Sequence, residues 1–133
     1  MYLLDVDRFK SINDTDGHLK GDMALENVAT ALKNAVTYIP EENHPDIFRY
    51  GGDEFIIVCT NMGEYQKEEF VRQIHSSVAS INEQNKSKGE KFELTVSVGF
   101  ETRECDSREQ FEKLVLAADQ AMYEVKNLKK VTR

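Results

Sequence analysis

The segment Arg49-Tyr50-Gly51-Gly52-Asp53-Glu54-Phe55 constrains this chain more than any other, because it sets two adjacent glycines and two carboxylates between apolar runs. Ile47 to Tyr50 lead into the glycines, and Phe55 to Cys59 follow the acids. A Gly-Gly pair between two strand signals predicts a two-residue hairpin whose turn needs positive φ. Asp53 and Glu54 then stand where the second strand begins. Successive strand side chains point to opposite faces, so the two carboxylates meet different surroundings.

A second acidic pair lies near the start. Tyr2-Leu3-Leu4 reads as a strand running into Asp5-Val6-Asp7. If the two strands are neighbours in a sheet, Asp5 and Asp53 converge. Close carboxylates repel unless a proton is shared or a cation sits between them, and hard oxygen donors with no Cys or His nearby suit Mg²⁺ or Mn²⁺ rather than zinc. His18, His44 and His75 are scattered, with no spacing for a metal site. Asp14-Thr15-Asp16-Gly17 does not make a calcium loop: with Gly17 at its obligatory glycine, the loop would begin at Ile12 and end at Met23, where oxygen ligands are required.

A chain of 133 residues with 40% hydrophobic content suits a single domain over 1–133. No apolar run approaches the ~20 residues needed to span a bilayer, so no membrane contact is expected of this sequence. Met1-Tyr2 leads into strand-like sequence without a basic leader, and Cys59 and Cys105 read as reduced thiols; both point to the cytoplasm. A net charge of −7 argues against nucleic acid as a partner. A small phosphorylated ligand remains compatible where a metal ion and a few lysines offset the repulsion.

The remaining periodicity alternates between helix and strand. Leu25, Val28, Ala29, Leu32, Ala35 and Val36 predict a helix from about Asp22 to Ile39-Pro40, and Phe70, Val71, Ile74, Val78 and Ile81 predict another. Asn82 to Glu90 reads as a polar connector. Leu94, Val96 and Val98 alternate with Thr95 and Ser97, as a half-buried strand would. Ser107 with Gln110 resembles a capping box opening a third long helix, near whose end Lys126 reads as a favourable cation.

Asp5-Val6-Asp7-Arg8-Phe9-Lys10-Ser11-Ile12-Asn13-Asp14, Gly17-His18, Gly21-Asp22, Tyr50-Gly51-Gly52-Asp53-Glu54-Phe55 and Ala118-Asp119-Gln120-Ala121-Met122-Tyr123-Glu124-Val125-Lys126 follow one another in order. Together they resemble the successive motifs of the GGDEF diguanylate cyclases. The resemblance implies an α+β fold: a mainly antiparallel central sheet flanked by helices, similar to the palm of polymerases and nucleotidyl cyclases. Relative to the family, the helix and motif that precede the first Asp strand are missing, because Met1 stands almost at that strand.

The same resemblance implies synthesis of cyclic di-GMP from two GTP with release of two pyrophosphates, at a homodimer in which each chain holds one GTP. It assigns Asp5, Asp53 and the carbonyl of Val6 to two Mg²⁺ (or Mn²⁺) ions per site. Asp53 or Glu54 takes the 3′ proton, and both stay candidates. Phe9 and Lys10 meet the triphosphate through their backbone N–H groups, and the Lys10 and Lys126 side chains neutralise it. Asn13 and Asp22 read guanine; an ionised carboxylate is acceptor-only, which suits the N1–H and amino donors of that base. The alternative is a low-turnover, GTP-binding regulatory domain controlling an adjoining EAL phosphodiesterase. Fusion to sensor or EAL domains in a longer chain belongs to either reading. Lys129 and Lys130 depart from the family, which commonly has Gly and Arg there.

Overall fold

All five residues of the first strand, β1 (Tyr2–Val6), are buried, and the sheet is assembled around them. In this computed structural model, which describes residues 1–132 and side chains as far as Lys130, β1 pairs antiparallel with β3 (Glu54–Val58) and β4 (Val96–Phe100). The short β2 (Asp46–Arg49) adds to the outer edge of β3, giving the order β2-β3-β1-β4. Arg133, the last position of the expected domain, lies outside the described residues. The helices are α1 (Phe9–Asp16), α2 (His18–Val36), α3 (Glu64–Ser87) and α4 (Arg108–Thr132). This is the antiparallel α+β arrangement expected from the sequence.

The period of two divides β1 between two cores. Tyr2, Leu4 and Val6 pack with Val28 and Leu32 of α2 and Phe70 and Ile74 of α3. Leu3 and Met1 face the other way, with Ile56, against Leu114, Ala118 and Met122 of α4. A strand covered on both faces reads as a continuous apolar run, which is why Tyr2-Leu3-Leu4 is legible and the alternation of β4 misleads. Ser97 is fully buried and Gly99 is buried as well, so β4 is not half-exposed. A Cβ on Gly99 would collide with the α4 backbone at Ala121 and Met122; glycine here lets the helix lie directly on the strand.

Two boundaries move outward. α2 begins at His18, and α3 continues through the expected connector as far as Ser87. Asn82 explains the second extension: its Nδ2 donates to the Leu94 carbonyl at 2.7 Å and its Oδ1 accepts from the Leu94 N–H at 2.8 Å, tying a polar helical residue to the chain entering β4. The chain turns at Gly89, with φ of 85°. At the start of α4, Ser107 Oγ accepts from the Gln110 N–H at 3.2 Å and Gln110 Oε1 accepts from the Asp106 N–H at 2.7 Å, a capping box displaced by one residue. Among the described residues no helix is long and apolar enough to cross a membrane.

Candidate active site

The β1–β3 register sets Asp5 opposite Glu54, and one step further along the Val6 N–H donates to the Asp53 carbonyl at 3.0 Å. The two acidic segments therefore meet as expected. The connecting turn differs from expectation. Tyr50 N–H donates to the Glu54 carbonyl at 2.9 Å, which closes a loop of Gly51, Gly52 and Asp53, and neither glycine adopts positive φ. A third loop residue spreads the reversal, so the left-handed geometry of a two-residue turn is not required. The Arg49 guanidinium holds the loop by donating to the Gly51 carbonyl at 3.2 Å and the Gly52 carbonyl at 2.8 Å.

On the α4 side of the sheet, the carboxylates of Asp5 in β1 and of Asp7 just beyond it meet two lysines of the helix. Lys126 Nζ contacts Asp5 Oδ2. Lys129 Nζ donates to Asp7 Oδ2 at 2.7 Å and to the Val96 carbonyl at 2.6 Å, while Ser97 Oγ donates to Asp7 Oδ1 at 2.6 Å and Thr95 Oγ1 to Oδ2 at 2.9 Å. Asp7 is thereby saturated with donors. Burial would raise its carboxyl, but the bonds from Lys129, Ser97 and Thr95 outweigh burial and hold it below the usual range.

Asp5 is the opposite case. It is 3% exposed, and its Oδ1 is buried without a hydrogen-bond partner. Burial pushes its carboxyl above the usual range; Lys126 opposes this, and the charges of Asp53 and Asp7 reinforce it. Glu54 is also raised, first by burial and then by the charges of Asp53, Asp5 and Asp119. Burial works to lower the Lys126 ammonium, but Asp5, Asp7 and Asp53 outweigh it and raise it. One lysine does not balance this carboxylate group, and an orphaned hard oxygen beside it fits a divalent cation. Among the described residues, however, no three His, Cys, Asp or Glu side chains converge tightly enough to hold a metal ion by themselves. Any such ion would need donors beyond these side chains.

The turn from β1 into α1 passes through Arg8, which has φ of 55°. Phe9 is half-buried against the core and Lys10 is exposed at the helix start. The Ile12 N–H is the first to reach back within the turn, to the Arg8 carbonyl at 3.1 Å, so the amides of Phe9 and Lys10 open the helix without intrahelical acceptors. Such an end favours anions. Asn13, half-buried on α1, lays its Oδ1 where a Cβ of Gly21 would stand, and Asp22 follows, exposed, on α2. The expected metal, phosphate and guanine positions thus divide among the β1 and β3 ends, the α1 start and the α1–α2 contact. Lys126 alone is engaged differently: it sits on Asp5 rather than standing open for phosphate.

The family described as "Diguanylate cyclase, GGDEF domain" matches residues 1–132. The chain belongs to the GGDEF domain family. It is 36% identical over 121 residues to the diguanylate cyclase DosC of Escherichia coli, covering 91% of this chain and 25% of that protein. It is 35% identical over 127 residues to diguanylate cyclase A of Treponema denticola, covering 93% of this chain and 31% of that protein. The GGDEF domain therefore spans about a quarter to a third of those relatives. Among solved structures, the GGDEF domain of DgcB from Caulobacter crescentus in complex with c-di-GMP superposes with a TM-score of 0.74 at 29% identity, covering 95% of this chain and 70% of that one. The active GGEEF domain of a Vibrio cholerae diguanylate cyclase gives a TM-score of 0.72 at 28% identity, covering 95% of this chain and 74% of that one.

Sequence reasoning missed the Asp7–Lys129 link. A signal existed: Asp5 and Asp7 share one face of a strand, and Lys126 and Lys129 share one face of a helix, so two such elements packed together match acid to base twice. Only the packing of α4 on β4 and β1 makes the pattern meaningful.

Proposed function

We propose that this GGDEF domain is a diguanylate cyclase, condensing two GTP into cyclic di-GMP and two pyrophosphates where two copies face each other. The observation carrying this reading is the carboxylate group of Asp5, Asp53 and Glu54, left with a buried unpartnered oxygen and set directly before the open amides of Phe9 and Lys10. Asp5, Asp53 and the Val6 carbonyl are the donors that would hold two Mg²⁺ or Mn²⁺ ions, which supply charge neutralisation at the α-phosphate and activation of the 3′ hydroxyl.

The chain's own residues do the rest. The Phe9 and Lys10 amides receive phosphate oxygens, and the Lys10 side chain stabilises charge that develops as pyrophosphate leaves. Asp22 accepts from the N1–H and amino group of guanine, and Asn13, seated against Gly21, completes the base contact. Asp53 or Glu54 accepts the 3′ proton; at Glu54, burial and the charges of Asp53, Asp5 and Asp119 raise the carboxyl, which favours proton uptake there. Were cations held at Asp5, the Lys126 ammonium that contacts it would become available to the triphosphate.

One observation favours the second reading, a GTP-binding regulatory domain with little turnover. Lys126 already neutralises Asp5, which costs any incoming cation an ion pair. Incubation of the purified domain with GTP and Mg²⁺, followed by separation of the nucleotides, decides between them. Cyclic di-GMP supports the cyclase; saturable GTP binding without product supports the regulatory domain.

A further inference from the structure

A cavity of about 520 Å³ opens at the end of the sheet away from the carboxylate group, where β1 starts and β3 and β4 end. Both of the chain's two cysteines, Cys59 and Cys105, stand in its wall, and both are free thiols. Topology brings them there. β3 and β4 flank β1 on opposite sides, so at ~4.8 Å per strand spacing their ends stand ~10 Å apart, further than the ~7 Å a disulfide allows between Cα atoms. Cys59 directly follows β3, but Cys105 does not lie on β4; it belongs to the irregular stretch 101–107 that leads into α4. The early turns of α4 rest on β3, because Leu114 packs with Ile56 and Val58. The loop therefore crosses from the β4 side past Met1 to the β3 side, and carries Cys105 toward Cys59.

The two thiols differ in a way that assigns them different roles. Cys105 is exposed. Cys59 is half-buried against the core under α2 and α3, and burial pushes its thiol up to about 11, so it keeps its proton near neutral pH and is a poor first target for an oxidant. We propose that Cys105 and Cys59 form a redox-active dithiol, in which a hydroperoxide oxidises Cys105 and Cys59 resolves the product to an intramolecular disulfide. In the first step the Cys105 sulfur, as its thiolate, attacks one peroxide oxygen. The O–O bond breaks, water leaves with the thiol proton, and Cys105 becomes a sulfenic acid. In the second the Cys59 sulfur attacks the Cys105 sulfur; the S–S bond forms, the S–O bond breaks, and the hydroxyl leaves as water with the Cys59 proton. Two thiols thus lose two electrons and two protons while hydrogen peroxide becomes two waters. The chain holds no third cysteine to compete within the cavity. The link ties the end of β3 to the entry of α4, the helix that carries Lys126 and Lys129.

The test treats the intact, reduced chain in dilute solution with a slight excess of hydrogen peroxide, followed by alkylation, intact-mass measurement and peptide mapping. The wild type is expected to lose two hydrogens and both alkylatable thiols, and to yield a linked Cys59–Cys105 peptide pair from a monomer. Cys59→Ser should leave Cys105 as a sulfenic acid that dimedone traps, and Cys105→Ser should keep Cys59 reduced under the same exposure. Unfolding the wild type in urea should slow the linkage at least about tenfold, since chance closure of a long loop then replaces the fold in bringing the thiols together. If circular dichroism shows that Cys59→Ser does not fold, the wild-type mapping, the urea comparison and the exposed Cys105→Ser variant decide alone. Two thiols that stay alkylatable, Cys105 oxidised to sulfinic acid without linkage, linkage between copies instead of within one, loss of the Cys59 thiol in Cys105→Ser, or equal rates in folded and unfolded chains would each overturn the proposal.

Discussion

Lys129, in the last turns of α4, donates at 2.7 Å to Asp7, the residue just after β1, across 122 positions of sequence. The same ammonium donates to the Val96 carbonyl at 2.6 Å, so one side chain joins α4, β4 and the turn that leads into α1. That turn carries Arg8, Phe9 and Lys10. The position of the open amides therefore depends on a helix end far from them in sequence.

Lys129→Met should destabilise the domain by about 1–3 kcal/mol, because Asp7 keeps its half-buried carboxylate and loses its cationic donor. Urea denaturation should show a lower midpoint at unchanged slope. The pH dependence has a definite sign. The folded Asp7 carboxyl is held low, so its stabilisation is complete above the unfolded value of ~3.9 and is lost as pH falls through the lower folded value. Wild type and Asp7→Asn should accordingly converge in stability at acid pH; a gap that persists or widens there contradicts the assignment.

Gly21→Ala should separate stability from binding. Alanine ordinarily stabilises a helix interior by about 0.5–1 kcal/mol over glycine, but here its Cβ takes the place of Asn13 Oδ1. Asn13 is a movable side chain and can rotate away. The melting temperature should stay level or rise while GTP affinity falls by about tenfold, the loss of one good base contact. Unchanged GTP affinity would show that Asn13 takes no part in nucleotide recognition.

Gly99→Ala has the opposite character. The obstacle is the backbone of α4 at Ala121 and Met122, which has nowhere to turn, so overpacking of about 1–3 kcal/mol or more is expected. Because α4 carries Lys126 and Lys129, thermal unfolding and GTP binding should fail together. A variant of native stability would mean that the helix does not rest on Gly99.

These positions show what the chain discloses in advance. The buried strand β1, the acidic hairpin and the stripes of α2, α3 and α4 are legible because periodicity and turn chemistry are local. The helical Asn82–Ser87 stretch and the burial of Ser97 were not, since each is settled by a partner further along the chain: Leu94 accepting Asn82, and α4 lying on β4; the three-residue turn is local, but the Gly-Gly pair does not by itself say which residue closes the loop. The acidic site was legible as two clusters. Its pairing with Lys126 and Lys129 was not, because helix and strand become neighbours only in the folded sheet.

If catalysis needs two facing copies, each supplying one guanine contact and one phosphate clamp, turnover must depend on association. Specific activity should rise with protein concentration, or on fusion to a dimerising partner, and level off when the dimer is complete. A constant specific activity from a verified monomer would exclude the facing arrangement.

The most direct measurement is product formation from GTP and Mg²⁺ by wild type and by Asp53→Asn, with both shown to be folded by circular dichroism. Asp53 is half-buried in an exposed turn and fills no core, so its replacement should leave the fold intact. The account predicts cyclic di-GMP from the wild type and none from folded Asp53→Asn. Equal product from both proteins would contradict it.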